Sequence, residues 1–255
     1  MDNIAEYIRT TFDGILVIGD VHSEFEALER ARLYAQKENF FLMSLGDLVD
    51  RGTKPFETVK CMHDIVYEGR GGFVTGNHDN KFYRYAKGNK VRFSLESQLT
   101  LRYVADREKE FLDMYVTLTE ARMLSSIFHK VDEYVFIHAA THKDIWDKSD
   151  NIGKSAKDMA IVGEVTGEKQ ADGYPVRLYN WVNDIPMGKT VIVGHDMRPM
   201  NVASRLTEPF ISTNSNGGKV IFMDTGCGKG GYLTGAILMK GKKDQFFFEG
   251  VVSFS

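Results

Sequence analysis

The sequence predicts an α/β fold in which largely parallel strands alternate with helices, and two observations carry that expectation. Apolar runs of five or six residues recur at Gly14–Gly19 (GILVIG), Phe40–Leu45 (FFLMSL) and Gly71–Thr75 (GGFVT), with segments of helical period between them. Acid, amide and imidazole side chains gather just beyond apolar runs: Gly19-Asp20-Val21-His22, Gly46-Asp47-Leu48-Val49-Asp50-Arg51-Gly52, Gly76-Asn77-His78-Asp79, His138, Gly194-His195 and Asp224-Thr225-Gly226. Strands separated by helices imply βαβ units, and ligands of such sheets bind beyond the carboxyl ends of the strands.

Each element has a local reason. Glu24–Glu38 carries Phe25, Leu28, Ala31 and Ala35 at helical spacing. Pro55 follows the Asp50-Arg51-Gly52 turn at a position where a first helical turn accepts proline, opening a helix through about Val66. Phe93–Leu118 is polar and charge-laced with scattered Leu, Val and Phe, which predicts a helical insertion over residues 93–118. Glu133–Ile137 and Lys189–Val193 read as further strands. Lys219–Met223, Leu233–Met239 and Gln245–Val252 are short β runs joined by turns such as Lys240-Gly241-Lys242-Lys243, and they predict a second, antiparallel-containing sheet. Gly226–Gly231 (GCGKGG) is glycine-rich but lacks the strand-loop-Lys-Ser/Thr order of a nucleotide P-loop.

Composition narrows the function. A chain of 255 residues suits one domain over 1–255. The apolar fraction of 43% and charged fraction of 26% are ordinary for a globular protein, and no run approaches the ~20 apolar residues of a membrane span. The N-terminus lacks the basic-then-apolar order of a secretory signal, so a cytoplasmic protein is expected, with Cys61 and Cys227 reduced. A net charge of −3 argues against broad binding to duplex nucleic acid. A local patch remains: Lys81–Arg92 (KFYRYAKGNKVR) carries five basic and three aromatic residues and no acid. Such interleaving suits a single nucleic-acid strand, and equally a solvated helix face whose aromatics pack inward.

Asp20, His22, Asp47, Asn77, His138 and His195 are oxygen and imidazole donors without thiolate, a set that suits two divalent ions, Mn first, with Fe, Zn, Ni or Co as alternatives. Asp47, central in the series, is the candidate to bridge ions ~3.5–4 Å apart, a pair that clamps a phosphoryl group and generates hydroxide for in-line attack. Taken singly, each histidine reads as core or surface and each aspartate as a turn residue; together they reverse that balance. His63, His129 and His142 keep the ordinary roles, although His142 is near enough to His138 in sequence to line the same cleft.

These segments resemble the signature of the calcineurin-like metallophosphoesterases: GD-x-H, GD-x-x-DRG, GNH(D/E), then two separated histidines, all in order over residues 19–195. The resemblance implies a metallophosphoesterase-type β-sandwich of mixed sheets flanked by helices. It places Asp20, His22 and Asp47 on one ion, and Asp47, Asn77, His138 and His195 on the other. It makes His78 the general acid, Asp50 the carboxylate that orients it, and Arg51, Arg177 and Asn77 phosphate-binding groups. A narrower likeness, through GNHDNKFYRYAKGNKV, VRLYNW, VIVGHDMRP and MDTGCGKGG, is to the phosphatase module of bacterial polynucleotide kinase-phosphatase, with parts shared by nucleoside-tetraphosphate hydrolases and small Ser/Thr protein phosphatases. Ser23, Ala140 and Asp196 depart from that pattern, and Asp196 adds a negative charge beside the expected cleft. The expectation is a two-metal phosphatase acting on RNA 2′/3′ ends or nucleotides, with no membrane contact; a Ser/Thr protein phosphatase or a dinucleoside-tetraphosphate hydrolase is the alternative. A non-catalytic scaffold is disfavoured, because every ligand is present.

Overall fold

A computed structural model describes residues 3–147, 152–201 and 207–255. Its strands are β1 (Gly14–Ile18), β2 (Phe40–Ser44), β3 (Gly71–Val74), β4 (Ser125–Ser126), β5 (Phe128–Val131), β6 (Tyr134–Ile137), β7 (Glu164–Lys169), β8 (Pro175–Leu178), β9 (Thr190–Val193), β10 (Phe210–Thr213), β11 (Lys219–Phe222), β12 (Leu233–Lys240) and β13 (Phe246–Phe254). One sheet runs β13-β12-β1-β2-β3-β4, the other β10-β11-β9-β6-β5, and β7-β8 is a separate hairpin. Within the first sheet β1, β2, β3 and β4 are parallel; within the second, β6, β9 and β11 are parallel.

The apolar runs are continuous because each central strand is buried on both faces. In β1, Ile15 and Val17 point between the sheets, where they join Phe41, Met43, Phe136 and Ile192. Leu16 and Ile18 point the other way, onto Leu28, Ala31, Val59 and Met62 of the helices Phe25–Lys37 and Pro55–Tyr67. Val135, Ile137, Val191 and Val193 cover the outer face of the second sheet together with Ala156, Ala160 and Trp181. The order is therefore helices, sheet, sheet, helices, a mixed α/β sandwich as expected.

Three details depart from the sequence expectation. The C-terminal strands do not form one sheet: β11 joins the second, whereas β12 and β13 extend the first, with Gly14 opposite Met239 and Ile18 opposite Gly235. Ala236 and Leu238 on β12 enter the inter-sheet core and Leu233 enters the helix-covered one, the two-sided burial that a neighbour of β1 requires. The acidic N-terminus forms a helix, Ile4–Thr11, capped by Asn3, which inserts Ile4 and Ile8 between the sheets. The expected insertion forms helices Leu95–Tyr103 and Glu108–Thr119; Phe93, just ahead of the first, and Phe111 and Tyr115 of the second pack on Phe82 of a helix, Asn77–Ala86, that begins directly at the Asn77-His78 motif. Among the described residues no helix is long and apolar enough to cross a membrane.

Candidate active site

Six parallel strands, three from each sheet, end at one place. Asp20 and His22 follow β1, Asp47 follows β2, and Asn77 and His78 follow β3; His138 follows β6, His195 follows β9 and Asp224 follows β11. Packing the two sheets face to face thus joins ligands that lie far apart in the chain.

Three imidazoles are oriented by backbone carbonyls. His22 Nδ1–H donates to the Val49 carbonyl at 2.8 Å, His138 Nδ1–H to that of Leu45 at 2.7 Å, and His195 Nε2–H to that of Val162 at 3.1 Å. Each ring then turns its other nitrogen, a lone pair, inward. His138 Nε2 lies 3.1 Å from His195 Nδ1, 3.1 Å from Asn77 Oδ1 and 3.5 Å from Asp47 Oδ1. Lone pairs facing one another at that distance call for a cation. Two triplets, Asp20-His22-Asp47 and Asp47-His138-His195, each have donor atoms within 4.8 Å of one another, and Asp47 belongs to both. The donor set therefore fits two divalent ions.

Electrostatics agree with that geometry. Burial, reinforced by the charge of Asp47, pushes Asp20 up to about 6; burial, reinforced by Asp20, pushes Asp224 up to about 7. Burial also opposes ionisation of Asp47, but the imidazoles of His138, His78, His22 and His195 outweigh it and hold this carboxyl well below the usual range. Burial and Arg51 lower His22 to about 3, and burial and Arg177 lower His195, leaving the neutral form that ligates metal.

The loops that deliver these groups are strained. His22, Asp47, Asp50, Arg51 and His195 all have φ between 47° and 70°, a region that costs side-chain-bearing residues energy and is common at functional sites. Ser23, where the resembling pattern has glycine, shares it at φ 62°. Two glycines are required by close approach: a Cβ on Gly76 would lie 2.2 Å from Asp47 Oδ1, and one on Gly194 2.2 Å from Asp20 Oδ1.

His78 and Asp50 meet as expected, Nδ1 to Oδ2 at 2.5 Å, with His78 Nε2 3.8 Å from Asp47 Oδ2. Burial disfavours the protonated imidazole, yet the charges of Asp47 and Asp50 raise its pKa. A cleft of about 390 Å³ opens over Asp47 and His78, lined by Arg51, Arg177, Arg198 and Lys229. Asp196 lies beside this cleft, its Oδ1 3.8 Å from Arg177 Nε. It accepts the hydroxyls of Tyr174 at 2.7 Å and Tyr179 at 2.5 Å and the N–H of Arg198 at 3.0 Å, pinning the β7-β8 hairpin beside His195.

Asp79 and Asp224 were legible as motif letters but carried no assigned role. Asp79, fully buried, accepts the N–H groups of Asp47 at 2.6 Å, Leu48 at 3.0 Å and Gly76 at 3.1 Å and the Tyr115 hydroxyl at 3.1 Å, so it holds the Asp47 loop. Asp224 adds a third carboxylate beside Asp20 and His22. His142 does not line the cleft; its ring turns to Asp144. His63 stacks on Tyr67, and His129 is buried in β5, where burial lowers its pKa to about 4.

The aromatics of Lys81–Arg92 are packed or tethered. Phe82 is in the core, the Tyr83 hydroxyl donates to Glu120 at 2.9 Å, Lys87 pairs with Glu120 at 3.1 Å, and Tyr85 meets Phe93 edge-on. The helix-face alternative describes this segment better than a stacking platform.

A family model described as Calcineurin-like phosphoesterase matches residues 14–211. The chain is 31% identical over 236 residues, 86% of its own length and 88% of the relative's, to "Bis(5'-nucleosyl)-tetraphosphatase PrpE [asymmetrical]" of Bacillus subtilis (strain 168). It is 33% identical over 237 residues, 86% of each chain, to the protein of the same name from Bacillus velezensis. A protein serine/threonine phosphatase from Saccharomyces cerevisiae with similarity to human phosphatase PP5 shares the fold, with a TM-score of 0.56 at 12% identity over 96% of this chain and 81% of that one.

Proposed function

Because the chain belongs to the calcineurin-like phosphoesterase family and is a metal-dependent phosphoesterase, we propose that it cleaves nucleotide phosphates, dinucleoside polyphosphates first among them. The observation that supports the chemistry most directly is Asp47, a carboxylate common to two ligand triplets. Asp20, His22 and Asp47 would hold one divalent cation, and Asp47, Asn77, His138 and His195 the other; Mn suits this oxygen-and-imidazole set best. Bound there, the ions would supply Lewis-acid polarisation of the phosphoryl group and acidify a water.

The chain's own groups do the rest. Arg51 and Arg177 each carry a buried Nε with no hydrogen-bond partner among the described residues, Glu96 and Asp196 each lying 3.8 Å away, and their planar forks suit phosphoryl oxygens. His78, raised by its carboxylate neighbours, gives the Nε2 proton to the departing oxygen, and Asp50 keeps Nδ1 protonated and the ring aimed.

Two observations favour a polyphosphate. Arg198 and Lys229 extend the cationic lining beyond Arg51 and Arg177, and relatives at 31% and 33% identity bear the tetraphosphatase name. The expectation of RNA ends rested on the likeness to the polynucleotide kinase-phosphatase module and on Lys81–Arg92, and the aromatics of that segment are engaged elsewhere. We also place the protein in the cytoplasm, where the buried thiols Cys61 and Cys227 stay reduced, and treat residues 1–255 as one functional unit.

A panel with Mn-loaded protein tests the substrate: diadenosine tetraphosphate should give the highest kcat/KM, above RNA bearing 2′- or 3′-phosphate and above a phosphoserine peptide. Preference for the peptide or the RNA overturns that choice. His78→Ala should reduce kcat for an alkyl phosphate by ~10²–10⁴-fold and far less for p-nitrophenyl phosphate, whose leaving group needs little protonation.

A further inference from the structure

Asp50 is fully buried and its two oxygens have more than one donor to satisfy them. Besides His78, Ser97 Oγ donates to Oδ2 at 2.6 Å and Thr100 Oγ1 donates to Oδ1 at 2.7 Å. Both hydroxyls come from helix Leu95–Tyr103, nearly 50 residues further along the chain, and both side chains are buried. Three residues apart, they share one helix face. Ser94 caps that helix by accepting the Ser97 N–H at 3.2 Å, and its own hydroxyl lies 3.0 Å from Ser97 Oγ. Since the single Ser97 proton goes to Asp50, Ser94 donates to Ser97, which completes a chain Ser94–Ser97–Asp50–His78.

We propose that Ser97 and Thr100 are positioning residues for phosphoryl transfer: they fix the plane of the Asp50 carboxylate so that Oδ2 faces His78 Nδ1 and Nε2 faces the cleft. Asp50 sits at φ 68° on a strained loop, and one imidazole bond alone would leave its carboxylate free to turn about its own axis. With a hydroxyl on each oxygen, the turn is blocked. The same helix reaches the other side of the cleft, where Glu96 lies 3.8 Å from Arg51 Nε. The segment between β3 and β4 therefore serves the chemistry as well as the core.

This inference rests on the assignment of His78 as the general acid, and its test separates the two. Ser97→Ala, Thr100→Val, their double variant and His78→Ala are assayed with Mn on an alkyl phosphate and on p-nitrophenyl phosphate. The double variant should lose ~10- to 100-fold in kcat on the alkyl ester with KM unchanged, a fraction of the ~10²–10⁴-fold that general acid catalysis contributes. It should stay within a few-fold of wild type on p-nitrophenyl phosphate. Thr100→Ser and Ser97→Thr, which keep a hydroxyl, should recover most of the loss. If His78→Ala is selective for the alkyl ester but the hydroxyl deletions lower both substrates alike, or neither, the positioning role is wrong and the residues serve only the fold. If His78→Ala lowers both esters alike, the general-acid assignment fails and the inference falls with it. Should the double variant not fold, the single deletions read against Thr100→Ser and Ser97→Thr decide the matter in the same way.

Discussion

Replacing Asp224 by asparagine should stabilise the metal-stripped protein, increasingly so as pH rises. Asp224 is 6% exposed, and its carboxyl is raised from 3.8 to about 7 by burial and then by Asp20, against the pull of His22, the Gly226 N–H and Arg51. A group whose proton is held more tightly in the native state than in the unfolded chain contributes stability that is complete below the unfolded pKa and is lost as pH passes through the native one. Here the window runs from 3.8 to about 7. Three decades of proton affinity at 1.36 kcal/mol each put the penalty of the ionised carboxylate near ~4 kcal/mol at alkaline pH. Asparagine is neutral throughout, and its Oδ1 can still accept the Gly226 N–H, now at 3.0 Å. Its amide N–H₂ must find partners in a buried cluster at a cost of ~1–2 kcal/mol, so the net gain should be ~2–3 kcal/mol at alkaline pH and turn into a loss of ~1–2 kcal/mol near the unfolded pKa. Urea unfolding of EDTA-treated wild type and Asp224→Asn across that pH range measures the difference directly. Saturating Mn should erase the gain, because cations neutralise the carboxylate cluster. A stability difference that is flat with pH, or a wild type that is the more stable at alkaline pH without metal, refutes the view of Asp224 as an uncompensated charge awaiting metal.

Other substitutions probe the same centre. Asp47→Asn should abolish turnover and most Mn binding, measured by metal analysis, while circular dichroism shows a folded chain; two retained ions with near-native rates would count against the bridge. Gly194→Ala places a methyl group 2.2 Å from Asp20 Oδ1, so the carboxylate must shift by roughly 1 Å, and calorimetry should find Mn affinity reduced about 10- to 100-fold, the usual effect of disturbing a ligand's support. Asp79→Asn turns an N–H₂ group toward backbone N–H groups that now donate to a carboxylate, and should cost ~3 kcal/mol in urea unfolding together with weaker Mn binding; an unchanged midpoint would show that another group holds the Asp47 loop. Lys87→Glu should break the pair with Glu120 and leave kcat/KM on diadenosine tetraphosphate within a few-fold, whereas a specific loss on RNA ends would return the Lys81–Arg92 segment to the substrate path.

By itself the sequence determined the strands and the chemistry at their ends. GILVIG, FFLMSL and GGFVT are unbroken apolar runs because both faces of those strands are covered, and Asp20, His22, Asp47, Asn77 and His78 follow them within a few residues, so local pattern sufficed. His138 and His195 were readable for the same reason. What spans two sheets was not. The His195 N–H donates to Asp20 Oδ1 across 175 residues of chain, and nothing near either residue announces that contact. Asp224 acquires its raised pKa only because β11 ends beside β1, and β12 joins β1 rather than β11 because it must bury both faces. Lys81–Arg92 looks like an exposed basic-aromatic patch until helix Glu108–Thr119 covers Phe82. Asp196 reads as a bare charge beside the cleft until Tyr174 and Tyr179 close on it and Arg177 pairs with it. Periodicity and residue type record how a segment meets water and core, whereas which groups neutralise, orient or cover one another depends on contacts between distant segments, and only the packed sheets decide those.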